Sequence, residues 1–317
     1  MHPNVVALAG GVGGAKLAHG LALCLPPESL TVVVNTGDDF EHLGLHISPD
    51  LDTVMYTLAG LANPATGWGL ADETWNFLDA LDRLGADTWF RLGDRDLATH
   101  VERTRRLRSG QSLTAVTRAL SSALGAGPAL LPMTDDPLRT MVQTDEGELE
   151  FQEYFVHRQC QPRVSGFRFA GADQAQPTPA VLAALDAADV IVICPSNPFV
   201  SIAPILALPG VRDRLAGRAV AVSPIVGGQA LKGPAAKMLA ELGHDISALA
   251  VAQCYAALAR GFVLDNLDAA LQPALAALGL NVLVTDTIMH TDSDRRRLAQ
   301  SVLDFARSPV AVPPATS

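Results

Sequence analysis

Asn4-Val5-Val6-Ala7-Leu8-Ala9-Gly10-Gly11-Val12-Gly13-Gly14-Ala15-Lys16 lies at the start of the chain, and its reading decides the fold. A short apolar run ends in glycines, helical periodicity follows from Ala15 to Leu23, and Leu30 to Val34 is a β-branched run. Strand, glycine turn, helix and strand in that order predict a Rossmann-like α/β fold, a mostly parallel sheet with helices on both faces. Ligands gather at the carboxyl ends of such strands, so the chemistry is expected near residues 10 to 16 and 35 to 39.

A glycine turn opening a helix presents backbone N–H groups and a positive helix end to an anion, and Lys16 adds a cation there. Gly11, Gly13, Gly14 and Lys16 are the candidate phosphate contacts. The segment is not a Walker A loop, which needs glycine before the lysine and a hydroxyl after it, where Ala15 and Leu17 stand. Nor does it complete G-x-G-x-x-G, because Lys16 takes the third glycine's place.

Carboxylates recur beside this site. The next strand ends in Asn35-Thr36-Gly37-Asp38-Asp39, and Ser48-Pro49-Asp50-Leu51-Asp52-Thr53 marks a helix start. Acids near a diphosphate repel it unless a hard cation lies between, so the pairing predicts Mg2+. Helix capping and turn formation explain the same acids, and spacing alone leaves the two readings even. His42 and His46 stand at i and i+4, but Gly44 and Pro49 argue against a helix that would make them metal ligands.

Further along, periodicity predicts helices at 51–61, 71–84, 97–108 and 112–124, with Ser112 as an N-cap. Thr140 to Gln143 and Glu148 to Val156 flank an Asp145-Glu146-Gly147 turn and predict a hairpin. The α/β rhythm resumes in strands at 190–194, 219–222, 248–252, 262–264 and 281–284. The organisation expected is one α/β domain over 1–306, with a helix-rich, hairpin-containing insertion at about 51–170 and a frayed tail at 307–317. Two more strand ends carry polar or glycine turns: Pro195-Ser196-Asn197-Pro198, with groups suited to a base or ribose, and Ser223 to Gly228, where Gly227 and Gly228 precede Lys232. Trp68, Trp75, Trp89, Tyr154 and Phe155 could stack on a flat ring, and Trp68, between Gly67 and Gly69, is the best placed.

Composition narrows the class. The net charge of -10 disfavours nucleic-acid binding, and no run of apolar residues is long enough to span a membrane. Four scattered cysteines suggest neither a zinc site nor disulfides, and Met1-His2-Pro3-Asn4 lacks a basic n-region, so a soluble, cytoplasmic protein is expected. Two basic runs, Arg103 to Arg108 and Arg295 to Arg297, read as solvated helix faces.

The ordered blocks resemble the 2-phospho-L-lactate transferase family of coenzyme F420 biosynthesis over residues 4 to 306. The likeness lies in Gly10 to Lys16, Asn35 to Asp39, Gly44 to Thr53, Leu92 to Leu97, Leu131 to Asp136, Phe151 to Val156, Pro195 to Pro198 and Ser223 to Pro234. The resemblance implies a transferase that moves a phosphorylated three-carbon acid from a guanosine diphosphate-linked donor to the ribityl hydroxyl of the deazaflavin Fo. By the same resemblance Asp50 and Asp38 hold Mg2+, and Asp38 or Asp39 assists deprotonation. Gly11, Gly13, Gly14, Lys16, Ser196, Asn197, Ser223, Gly227, Gly228 and Lys232 face the donor. Asp50, Trp68, Met133, Thr134 and Asp135 face the deazaflavin. A homodimer is expected, as for many cytoplasmic enzymes. The rival classes are a dinucleotide-dependent oxidoreductase, weakened by the missing third glycine, and a nucleotide-binding regulator on the same fold.

Overall fold

The structure is a computed structural model that describes residues 2–308. Seven strands form one parallel sheet: β1 (Val5–Ala9), β2 (Leu30–Val34), β3 (Ala129–Pro132), β4 (Val190–Ile193), β5 (Ala219–Val222), β6 (Ala259–Asp265) and β7 (Asn281–Thr285). Their order across the sheet is β7-β6-β5-β4-β1-β2-β3, every neighbouring pair parallel. The chain thus runs outward from β1 in one direction, returns to β4 on β1's other side, and runs outward again. The β1/β4 boundary is the topological switch point, where the crossovers leave a crevice beyond the strand ends.

Both faces of the sheet are covered, as a parallel sheet requires. Along β1, Val5, Ala7 and Ala9 point into one apolar cluster, whereas Val6 and Leu8 point into another. The first cluster is closed by helix α1 (Gly11–Cys24), helix α2 (Pro49–Leu58), the Leu113–Leu124 helix and the Asp292–Arg307 helix. That last helix starts with a capping box at Thr291 and Asp294 and reaches Arg307, the first residue of the expected tail. Residues 309–317 of that tail lie outside the described ones. Among the described residues no helix is long and apolar enough to cross a membrane.

Several expectations are corrected. Residues 248–252 are not a strand but begin the Ala248–Tyr255 helix, whose N-cap Ser247 accepts a bond from the Ala250 amide; a short apolar run looks alike in either state. The helix expected at 71–84 covers only Asn76–Arg83, because Asp72 takes a positive φ of 54° and the chain turns there. The hairpin's second strand stops at Glu150 and residues 151–157 coil into a helical turn, while Val164–Ala170 adds a third strand beside Arg139–Thr144. Strand β3, inside the span expected as an insertion, is the edge of the central sheet, paired to β2. Arg103 is no solvated side chain but is 1% exposed, since its helix (Asp94–Arg108) turns that side toward α2. Ser112 caps its helix as expected, and His42 and His46 sit on a short hairpin, Phe40–His42 with Leu45–Ile47.

Candidate functional site

At the switch point the ends of β1 and β4 are tied together through Ser196, whose hydroxyl accepts from the Gly10 amide (3.2 Å) and donates to the Gly10 carbonyl (2.8 Å). The approach is close enough that a Cβ at Gly13 would collide with the Pro195 carbonyl, and one at Gly14 with the Ser196 hydroxyl. Glycine is required here by proximity, and Gly11 also adopts a positive φ of 62°. Beyond these strand ends opens a cavity of about 710 Å³, a size that suits a small-molecule substrate.

Asp50 reaches this turn from the first turn of α2. Its Oδ1 accepts from the Gly11 amide (2.6 Å), and its Oδ2 accepts from Asn35 Nδ2 (2.9 Å). The same Asn35 nitrogen lies 3.2 Å from Asp38 Oδ1, and Gln152 donates to Asp38 Oδ2 at 3.2 Å. Both carboxyls are buried, and among the described residues neither is in an ion pair with Lys or Arg. Burial pushes the Asp50 carboxyl up to about 6, although the Asn35 and Gly11 bonds pull it back. Burial, followed by the charges of Asp50 and Asp39, holds Asp38 well above the usual carboxylate range. Two buried, all-oxygen acids that share the Asn35 amide and lack an ion-pair partner among the described residues form a donor set that suits a hard divalent cation.

Asp39 has a different role. Its Oδ2 takes bonds from Ser48 (2.8 Å) and His46 (3.1 Å), which fix the approach to α2 rather than opening onto the cavity.

The cavity also gathers Lys16, Ser196, Asn197, Ser223, Lys232 and Trp68. Lys16 Nζ donates to the Met289 carbonyl (2.9 Å), and burial, with Arg295 and Lys232 near, lowers its pKa. Asn197 caps the turn at 198–202 by accepting from the Phe199 amide. Trp68 is 44% exposed on a loop that rests on Val12, where a Cβ at Gly67 would stand 2.6 Å from Val12 Cγ1.

Gly11 and Gly13 also line the cavity, whereas other expected contacts lie elsewhere or are already engaged. Gly14 is packed behind the turn, and the Gly11 amide is already engaged by Asp50. Gly227 and Gly228 form the two-residue turn of the Ile225–Val226 and Gln229–Ala230 hairpin, with φ of 55° and 75°, which accounts for both glycines. Met133 is buried in the core, Thr134 donates to the Gln176 carbonyl (2.6 Å), and Asp135 accepts from the Thr114 amide (2.6 Å) at a helix start. None of these three lines the cavity.

Sequence reasoning missed Asn35 and Gln152 as the amides that hold the two acids, and the segment 287–290 as a cavity wall. That segment follows β7, so the strand-end rule could have found it; Gln152 is remote in sequence and had no such signal. Trp89, Phe90 and Phe155 join Trp68 on the cavity wall and give it an aromatic portion.

Comparison with known proteins agrees with this architecture. A family model described as 2-phospho-L-lactate transferase CofD matches residues 5–295. A Streptomyces griseus protein named phosphoenolpyruvate transferase is 43% identical, with 96% of this chain and 98% of the relative covered. A Methanosarcina mazei protein named 2-phospho-L-lactate transferase is 39% identical over 94% of this chain and 99% of its own. A solved Bacillus halodurans structure of the upf0052 family shares the fold, with a TM-score of 0.64 at 15% identity over 96% of this chain and 99% of that one.

Proposed function

The chain belongs to the 2-phospho-L-lactate transferase CofD family, and from that premise we propose that it moves a phosphorylated three-carbon acid from a guanosine diphosphate-linked donor to the ribityl hydroxyl of the deazaflavin Fo, releasing GMP, in coenzyme F420 synthesis. The observation that supports this most is one cavity that combines a glycine turn, Lys16 and Lys232 with Asp38 and Asp50 and with the aromatic side chains Trp68, Trp89 and Phe155. A diphosphate and a flat tricyclic acceptor call for those two kinds of surface. The relatives named phosphoenolpyruvate transferase favour the enolpyruvyl acid as the transferred group, with the lactyl and glyceryl acids as alternatives.

In this reading Asp38 and Asp50 hold Mg2+, which when bound supplies positive charge to the diphosphate and to the oxygen that departs with GMP. The helix N-terminus at Val12 and Gly13 orients the diphosphate, and Lys16 and Lys232 add charge to the same wall. The hydroxyl oxygen of Fo bonds to the phosphorus that bears the acid, and the bridging P–O bond breaks with its electron pair staying on GMP. Asp38 lines the cavity and receives the hydroxyl proton on the carboxylate oxygen that does not hold the metal. Asp39 does not, because it is not among the residues that line the cavity.

The test is mass spectrometry of the product formed from Fo with each of the three guanosine-linked acids plus Mg2+. The enolpyruvyl product is expected to dominate, lighter than the lactyl product by two hydrogens. No transfer with any of the three donors would refute the assignment.

A further inference from the structure

Asp52 lies two residues beyond Asp50 on α2, borders the same cavity, and is paired with the Asp94–Arg108 helix. There Arg103, the bulkiest of the fully buried side chains, grips both its oxygens, with Nη1 at 3.0 Å from Oδ2 and Nη2 against Oδ1. Arg103 Nη1 also lies 3.3 Å from His100 Nδ1, His100 Nε2 lies 3.3 Å from Asp96 Oδ2, and Asp96 Oδ1 accepts from the Tyr56 hydroxyl at 2.6 Å. Side chains from successive turns of two facing helices thus form a buried polar ladder, of which Asp52, Tyr56, Asp96 and His100 also line the cavity while Arg103 stands behind them.

Stability alone does not explain such a ladder. Desolvating a guanidinium and a carboxylate costs about as much as their attraction returns, and a packed apolar pair of similar size often holds two helices as well or better. What an ion pair adds is direction, because the fork of Arg103 accepts the Asp52 carboxylate in one geometry. That direction matters here, because α2 has no side-chain cap of its own. Its N-cap residue, Ser48, donates to Asp39 instead. The first turn of α2, which carries Asp50, is located through Asp52.

We propose that Arg103 and Asp52 form a positioning pair that fixes the Asp50 carboxylate against the Gly11 amide, with His100, Asp96 and Tyr56 holding the guanidinium in register. Its relevance to turnover rests on the function proposed above, but the positioning itself does not.

The test compares the wild type with Asp52→Leu/Arg103→Met and with Arg103→Lys, reading melting temperature, hydrogen exchange of the Gly11 amide by NMR, and kcat and KM for Fo. The apolar pair is expected to melt within a few degrees of the wild type, while its Gly11 amide exchanges about tenfold faster. Its kcat is expected to fall by on the order of tenfold to a hundredfold, with KM for Fo little changed. Arg103→Lys, which keeps the charge but loses the fork, should fall between the two. Unchanged Gly11 exchange and kcat in the apolar pair would overturn the proposal, as would loss of activity that only tracks loss of stability. Should the apolar pair not fold, Arg103→Lys reads the same quantities, and wild-type exchange and kcat in that variant would refute the pair. A wild type that transfers nothing to Fo would refute the proposed function, while the exchange comparison would still decide the positioning.

Discussion

Asp50 is bonded by a backbone amide and by Asn35 and faces no cationic partner, so its ionised form is costly where it stands. Asp50→Asn keeps the shape and removes the charge. Turnover is expected to fall by about a hundredfold or more, with a shift of only a few degrees in melting temperature; a fully active variant with unchanged Mg2+ dependence would remove Asp50 from the metal. The pH dependence of stability gives an independent check. Burial pushes the carboxyl up to about 6 in the folded chain, against about 3.9 when unfolded. A folded pKa above the unfolded one means that stability is present at low pH and lost as pH rises through 6. Between pH 5 and 7.5, in chelator, the stability difference should therefore move in favour of Asp50→Asn by about 1–2 kcal/mol. Donor repulsion between the introduced amide and that of Asn35 adds an offset independent of pH. Urea melts of both proteins at the two pH values measure it, and a pH-independent difference would mean that the acid titrates normally.

At the scale of elements, the orientation of α1 matters most, because its N-terminus faces the cavity and its far side lies on the Asp292–Arg307 helix. Gly20 lets the two helices touch: a Cβ there would run into the Arg295 carbonyl and stand 3.2 Å from the Ala299 Cβ. Helix propensity alone says that Gly20→Ala should stabilise by about 1 kcal/mol. The collision is with backbone, which cannot turn aside, so overpacking wins and the variant should lose about 1–3 kcal/mol. A chemical denaturation curve decides the sign. Thr291→Ala, which breaks the capping box of the same helix, should cost about 1 kcal/mol while leaving the α1 contact in place. The two losses should be nearly additive only if the cap and the contact act independently.

Across the whole molecule, the two halves of the sheet meet at β1 and β4, and the cavity draws its wall from both, with Gly11 and Asp50 from one half and Ser223, Lys232 and 287–290 from the other. A ligand that spans them should bind only the folded chain and raise its melting temperature. GDP is expected to do so and to slow hydrogen exchange in both halves, at residues 10–16 and at 287–290. Stabilisation by NAD or ATP but not by guanine nucleotides would instead favour the oxidoreductase or another nucleotide class. Lys16→Ala should weaken GDP binding and, because Nζ also holds the Met289 carbonyl, loosen the 287–290 segment. Fo binding should be affected less.

The opening strand, glycine turn and helix determined the parallel sheet, because their alternation is local and their hydrophobic periods are distinct. Local sequence also identified Asp38 and Asp50 as acids at a strand end and a helix start. Local pattern could not say what each group faces. Gly227 and Gly228 look like a second phosphate turn until the hairpin pairing accounts for them, and Asp135 looks available until it meets the Thr114 amide. Arg103 looks like one of several surface arginines until the rotation of its helix buries it on Asp52. Asn35 bridges Asp50 and Asp38, and Gln152 reaches Asp38 from 114 positions away. Burial, counter-charge and mutual distance arise only when remote segments pack, and they are what separates an acid that caps a helix from one that holds a cation.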